Sequence, residues 1–334
     1  MSNQNRRPTA AIISAAVSLP ILGLTGWVIV NHQFAFDQLR AWQYQPTSQI
    51  ATIAARSGLS SNGRFYFYAS QPAVNTAQEF NLDCQRQEAK SAILACYTGS
   101  RIYIYDVTNA QLNGIEEVSA AHETLHAIWD RMSEADKQST GALLEAEYVK
   151  LNNSSLKERM AYYDRNEPGQ HANELHSIIG TEVAGLSPKL EAHYGKYFND
   201  RTKVVALHDG YQQLFDGIQS QSDALLAELN RLAGDISASI AHYNDSASTL
   251  TTDTNNLKAR ANSVDRTSAS QVNAYNSSRQ SLIDRIDQLE VLRTAIAAKT
   301  ASYNTKLVDY NKLIVRSDQL KQSLDSTLAP APSL

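Results

Sequence analysis

Residues 118–128 have the sequence VSAAHETLHAI and decide how the middle of the chain folds. Their small and apolar side chains, with no charge other than Glu123, predict a buried helix. Positions four apart on a helix share a face, so His122 and His126 can approach one metal ion. Glu123 lies one step around the helix, where a carboxylate can accept a proton from a water molecule at that metal.

The whole chain has 334 residues, which allows two or more folded units. Its net charge is −4 and its isoelectric point is about 6.1. Basic residues do not cluster apart from Arg6 and Arg7, so we expect no nucleic-acid partner.

Residues 9–30 carry no charge and are long enough to cross a bilayer as a helix. Arg6 and Arg7 precede them, and no Lys or Arg follows before Arg40. The positive-inside bias therefore predicts a cytoplasmic segment at 1–8, a transmembrane anchor at 9–31 and a juxtamembrane stalk at 32–47. A cleaved signal peptide is the alternative, but no convincing cleavage site follows the apolar run. We expect a single-pass protein of the cell membrane whose bulk lies outside the cytoplasm.

Cys84 and Cys96 are the two cysteines of the chain. In an extracytoplasmic domain such a pair predicts one disulfide that closes a short loop. The alternative is two free thiols.

The region 48–201 is predicted to be one α+β domain. Residues 64–69 and 101–107 are rich in β-formers and predict two strands, and the second could offer a sheet edge to an extended substrate. Helices are predicted at 48–59, 134–151 and 155–164, with a further helix that begins near 170.

The region 202–328 has a different pattern. Apolar residues recur at three- and four-residue spacing on both sides of a Ser-, Thr- and Asn-rich segment at 244–280. This pattern predicts a coiled-coil helical hairpin with its tip in that segment, or else self-association between chains. The tail 329–334 is predicted to be disordered.

A catalytic zinc usually has three protein ligands, so a third one must lie outside the motif. The position six residues beyond the motif, which is His in metzincins, is Met132 here, and the Gly that they need is Trp129. That class is excluded. The remaining candidates are three later glutamates: Glu145, Glu174 and Glu182.

The HExxH motif together with a later glutamate resembles the gluzincin zinc metallopeptidases over about residues 60–200. Glu174 is the favoured ligand, because its helix is apolar around it and gathers His176, Ser177 and Glu182 nearby. Asn173-Glu174-Leu175-His176-Ser177 also resembles the N-E-x-x-S part of the thermolysin-type third-ligand motif. Ile178 occupies the position of the Asp that usually follows. The resemblance implies a zincin-like fold with a small sheet packed on the motif helix, and a zinc ion bound by His122, His126 and Glu174.

By this resemblance Glu123 would act as general base. The oxyanion needs a donor besides zinc, and His176 is the candidate catalytic residue for that role. Other candidate donors are Tyr162, Tyr163 and His171, and Glu182 could orient a histidine. The expected function is a membrane-anchored zinc metallopeptidase that acts on peptides or proteins, including cell-wall peptides, in the cell envelope. The alternative is a membrane-tethered coiled-coil scaffold whose zinc domain is structural or inactive.

Overall fold

The structure is a computed structural model that describes residues 25–84 and 93–327. Of the described residues, 77% are helical and 4% lie in strands. The predicted α+β class, with a zincin-like sheet and a transmembrane helix, is therefore wrong for this part of the chain. A helical assembly carries one small sheet, whose elements are labelled below in chain order.

The helices and strands succeed one another with short connections. They are α1 (His32–Gln43), α2 (Ser48–Arg56), α3 (Ser61–Ala69), β1 (Ala73–Asn75), α4 (Ala77–Asp83), β2 (Ala95–Tyr97), β3 (Ile102–Tyr105), α5 (Ile115–Arg131), α6 (Glu134–Leu151), α7 (Ser154–Asn166), α8 (His171–Glu182), α9 (Pro188–Tyr194), α10 (Thr202–Arg260) and α11 (Ala269–Leu324). One 3-10 turn, Ala110–Leu112, precedes α5.

The main difference from the sequence prediction lies at residues 64–69, which form part of helix α3 instead of a strand. Ser60 caps this helix by accepting a hydrogen bond from the Gly63 N–H at 3.1 Å, and Phe67 is fully buried. A Cβ on Gly63 would lie 2.1 Å from the Tyr197 carbonyl oxygen. Asn62-Gly63 is therefore a close helix contact and not a hairpin turn, and packing overrides the β-propensity of the aromatic run.

The small sheet has the strand order β1-β3-β2. β3 pairs in parallel with β1 and antiparallel with β2, with Tyr103 opposite Ala73 and Cys96. The strand at 102–105 is therefore central, and the edge that was predicted there belongs to β2. The predicted disulfide is confirmed: Cys84 at the end of α4 is bonded to Cys96 on β2, with their Cα atoms 5.9 Å apart.

Helix α5 carries the HExxH motif and lies at the centre of the first compact unit. It packs against α2, α3, α8, β2 and β3. The residues of its inward faces are fully buried, among them Ala121, Leu125 and Ile128. The predicted stalk at 32–47 also belongs to this unit, because α1 packs on α3 and its Asp37 pairs with Arg131 of the motif helix.

The chain divides into two compact units. One is formed by residues 1–213 and 320–334, and the other by residues 214–319. The second unit contains most of α10 and α11, joined through residues 261–268. Ion pairs link Glu228 to Lys306 and Asp253 to Arg285, so the two helices run antiparallel. The connection lies inside the polar segment 244–280.

No helix within residues 25–84 and 93–327 is long and apolar enough to cross a membrane. The predicted transmembrane anchor at 9–31 and the single-pass membrane location are corrected on this finding, and residues 9–24 of that anchor lie outside the described residues. Of the predicted anchor, residues 25–30 are helical and Asn31 is a turn residue. Residues 1–24 and the predicted disordered tail at 329–334 lie outside the described residues.

Candidate metal centre

The two motif histidines of α5 face a cavity, and the fold brings Glu174 of α8 to them. The Nε2 atoms of His122 and His126 are 3.1 Å apart. Glu174 Oε1 lies 3.4 Å from His126 Nε2, and Glu174 Oε2 lies 3.8 Å from His122 Nε2. The fold therefore brings a carboxylate 48 and 52 positions later in the chain within 4 Å of the two histidines.

The spacings of 3.1 and 3.4 Å are close to those around a tetrahedral zinc ion, and the spacing of 3.8 Å is wider. With zinc–nitrogen bonds of about 2.0 to 2.1 Å, neighbouring ligand atoms lie about 3.3 Å apart. The Glu174 side chain is only 7% exposed, and its Oε2 accepts no hydrogen bond from the described residues. A buried carboxylate oxygen without a donor is costly unless a cation balances it. The two imidazoles and the carboxylate are also a donor set that zinc prefers.

Asn173 orients the second histidine. Its side-chain oxygen lies 2.9 Å from His126 Nδ1, so Nδ1 carries the proton and Nε2 is left as an acceptor toward the cavity. The Asn173 amide in turn donates to Gln170 Oε1 at 2.9 Å. Such partners of ligand histidines fix the tautomer and raise the basicity of the ligand. The Asn-Glu pair in the sequence is the signal for this role, which sequence reasoning did not assign.

The three candidate ligands are electrostatically coupled. Burial lowers the pKa of His122, but the interaction of its ring with the nearby Glu174 carboxylate and the charges of Glu123 and Glu182 outweigh it, so the pKa is raised. Burial raises the pKa of Glu174, but the interaction with the nearby His122 ring and the charges of both histidines and Arg159 outweigh it, so the pKa is lowered. Glu174 is therefore held as the carboxylate that a metal ion needs.

Glu123 lies beside the ligands, and its carboxylate, His122 and His126 have ligand atoms within 4.8 Å of one another. Burial is the main cause that raises the pKa of Glu123, and Glu174 adds to it. The two histidines and hydrogen bonding from the Tyr97 backbone act in the opposite direction. A carboxylate with a raised pKa is a better proton acceptor than a solvent-exposed one.

Close packing between α5 and α8 sets the position of Glu174. A Cβ on Gly180 would lie 2.4 Å from Leu125 Cδ1 and 2.7 Å from Tyr194 Cε1, and both side chains are fully buried. The absence of a side chain at Gly180 thus allows α8 to approach the motif helix. Glu174, six residues earlier on α8, then reaches the histidines.

The cavity beside this centre has a volume of about 840 Å³. The edge strand β2 and its flanks form one wall, and the motif helix forms the floor. The connection from α7 to α8 and several tyrosines close the remaining sides. The lining residues with ionisable or hydroxyl side chains are Tyr97, Ser119, His122, Glu123, His126, Asp130, Arg159, Tyr162, Tyr163, Glu167, Glu174, Glu182 and Tyr211.

His176 does not line this cavity. It is fully buried, its ring packs 5.2 Å from that of Trp129, and its Nε2 lies 2.9 Å from His193 Nε2. Burial, reinforced by the charge of His193, lowers its pKa well below the ordinary value. The structure therefore places this proposed oxyanion donor in a core histidine pair.

The other candidates are distributed as follows. Glu145 pairs with His171, whose Nε2 lies 3.3 Å from its Oε2, away from the motif histidines. Glu182 is held by Arg159 at 2.6 Å and by His208 at 3.5 Å. Tyr162 and Tyr163 line the cavity, and burial raises the pKa of Tyr163, so its hydroxyl stays protonated. Of the three glutamates, Glu174 is the one placed at both histidines.

Comparisons with protein-family models, with curated proteins and with solved structures found no significant match. The chemistry of the centre therefore rests on its own geometry.

Proposed function

We propose that this protein is a zinc-dependent hydrolase that cleaves peptide bonds. The observation that carries the proposal is the convergence of His122, His126 and Glu174, with Glu123 beside them, at a cavity of about 840 Å³. His122, His126 and Glu174 would hold the ion. When bound, zinc acidifies a water molecule and polarises the scissile carbonyl.

Glu123 is the general base. Its carboxylate takes one proton from the attacking water while the oxygen of that water bonds to the carbonyl carbon. The carbon–nitrogen bond then breaks, and Glu123 passes the proton to the leaving amine nitrogen. A purely structural metal site has no need of such a base, which favours an enzyme over the scaffold alternative.

Tyr163 is the favoured donor to the developing oxyanion. It lines the cavity, its hydroxyl stays protonated, and the charge of Glu174 contributes to its raised pKa, so the two side chains are near each other. His176, which was expected to be this donor, lies in the core, so we assign the role to Tyr163 instead. A preorganised donor at such a site stabilises the charge that develops in the transition state.

Metal content of the purified full chain tests the ligand set. After zinc loading and removal of loosely bound ion, we expect about one zinc per chain, as for a single three-ligand site. The variant Glu174→Ala should bind much less. Glu145→Ala is the matched control, because Glu145 is an exposed glutamate paired with His171, and it should bind as the parent does.

Hydrolysis of a mixed peptide library by the loaded protein then tests the reaction. Activity that a chelator removes and added zinc restores would support the proposal. A parent chain that binds no zinc would overturn the metal site. A chain that binds zinc but cleaves no peptide would overturn the reaction and favour a structural centre.

A further inference from the structure

Arg131 is the last residue of the motif helix, and its guanidinium is buried, with the side chain 6% exposed. Each of its three nitrogens has a partner. Nε and Nη2 donate to the two carboxylate oxygens of Asp37 at 2.8 Å each. Nη1 donates to the Tyr97 hydroxyl at 3.0 Å and to the Ala127 carbonyl at 2.8 Å.

Asp37 completes this arrangement from helix α1. Its side chain is 2% exposed, and it also accepts from Gln33 Nε2 at 3.2 and 3.3 Å. Apolar residues of the same volume would often stabilise such a site as well as a buried ion pair does. The bidentate pair also fixes the orientation of the guanidinium.

The oriented guanidinium holds the side chain of Tyr97 in place. Its hydroxyl accepts from Arg131 and donates to the Gly99 carbonyl at 2.8 Å, so both functions of the hydroxyl are used. Tyr97 ends β2, and both Tyr97 and Gly99 line the cavity. The guanidinium of the motif helix is thus tied to the edge strand at the point where that strand passes the metal centre.

The backbone of β2 offers hydrogen-bonding groups there. Leu94 O accepts from Tyr105 N at 2.8 Å, and Thr98 N donates to Arg101 O at 3.0 Å. Because antiparallel strands alternate, Ala95 and Tyr97 direct their N–H and C=O groups away from β3. Both residues line the cavity, and the Tyr97 backbone lies within hydrogen-bonding reach of Glu123.

We propose that Arg131, held by Asp37, is a positioning residue that keeps the Tyr97 end of β2 opposite Glu123 and so orders the strand edge along which a peptide binds. The substrate part of this inference rests on the proposed function. The ordering of β2 does not, and it can be measured without any substrate.

Tyr97→Phe in the full chain tests the inference, because it deletes one hydroxyl and leaves the Asp37–Arg131 pair in place. Loss of its hydrogen bonds should speed the exchange of the backbone amides of residues 95–98 by about fivefold to tenfold. In the hydrolysis assay, KM should rise about tenfold while kcat changes by less than about threefold. Zinc content should be unchanged.

Two further variants separate positioning from general damage. Tyr103→Phe removes a hydroxyl from the central strand β3 that has no hydrogen-bond partner among the described residues, and it should match the parent in every readout. Arg131→Lys keeps the charge but loses the forked geometry, and it should reproduce the faster exchange at residues 95–98.

Parent-like exchange at residues 95–98 in Tyr97→Phe would overturn the positioning role, whatever the kinetics. Faster exchange with an unchanged KM would overturn the substrate-binding part alone. If the parent binds no zinc and cleaves no peptide, the proposed function fails. The exchange experiment then still decides whether Arg131 orders β2.

Discussion

Glu123 and its two neighbouring histidines lie on one helix, so the local spacing alone brings a carboxylate beside two imidazoles that could bind a metal ion. Thr124 and Leu125, the residues between the second and third members of this group, are fully buried. The motif helix is therefore held in one rotational position about its axis, and its histidines and Glu123 are left to face the cavity.

Replacement of Glu123 by Gln should abolish hydrolysis without loss of zinc. The amide keeps the size of the side chain but cannot accept the proton, so kcat should fall by about 100-fold to 10,000-fold. Metal content and steady-state hydrolysis of one peptide measure the two properties separately. Retained activity in the zinc-loaded variant would contradict the mechanism.

His193 makes a second prediction at the residue scale, on stability and pH. Burial, with a contribution from Lys196 that Asp136 opposes, lowers the pKa of His193 to about 4, and the residue is 8% exposed. In the unfolded chain its pKa is about 6.5. Between these values the unfolded state binds a proton that the folded state does not, so stability falls as the pH falls from about 6.5 to about 4. At pH 5 this residue should lower the free energy of unfolding by about 2 kcal/mol relative to neutral pH.

Urea unfolding at pH 7.5 and at pH 5 measures this loss. The variant His193→Gln lacks the titrating ring, so its free energy of unfolding should decline less over the same interval. If both proteins lose the same amount, the buried ring is not the source.

At the scale of elements, the decisive contact is between α5 and α8. Replacement of Gly180 by Ala would place a methyl group against Leu125 and Tyr194, whose ring is fixed by a hydrogen bond of 2.8 Å from its hydroxyl to the His176 carbonyl. Overpacking of this kind costs about 1 to 3 kcal/mol. Because α8 also carries Glu174, the variant should bind zinc more weakly.

Gly141→Ala is the matched control on α6. A Cβ there would lie 3.7 Å from that of Ala172, which is an ordinary contact. The free energy of unfolding should rise by up to about 1 kcal/mol, because Ala is the better helix former. Urea unfolding and competition with a chelator measure stability and zinc affinity, and a Gly180→Ala protein equal to this control would show that α8 is not closely constrained.

Element identity also shows what local sequence signals can and cannot predict. The motif helix and the helices after it were predictable because caps and apolar periodicity mark them, as at Ser133, which accepts from the Asp136 N–H. Helix α3 was not, because its aromatic run favours a strand and the contact of Gly63 with residue 197 is visible only in three dimensions.

At the scale of the whole molecule, the two compact units predict separable behaviour. All the ligand and cavity residues belong to the first unit. The second is an antiparallel pair of helices in which Lys299 donates to Ser239 at 3.0 Å. Residues 240–298 can be deleted and replaced by a short turn that joins Ser239 to Lys299. This deletion should lower the helical signal but leave the zinc content and the stability of the first unit as in the parent. Loss of zinc on this deletion would contradict the separation.

The sequence by itself determined the local chemistry: two imidazoles and a carboxylate on one helix, the disulfide between Cys84 and Cys96, and the positions of most helices around the motif. These depend on residues a few positions apart or on a pair that has no other partner. The tertiary structure alone decided that Glu174, and not Glu145 or Glu182, meets the histidines, that His176 belongs to the core, and that β2 is the edge at the cavity. Each of these depends on which helix faces pack together, and packing is a property of distant residues that no local pattern records.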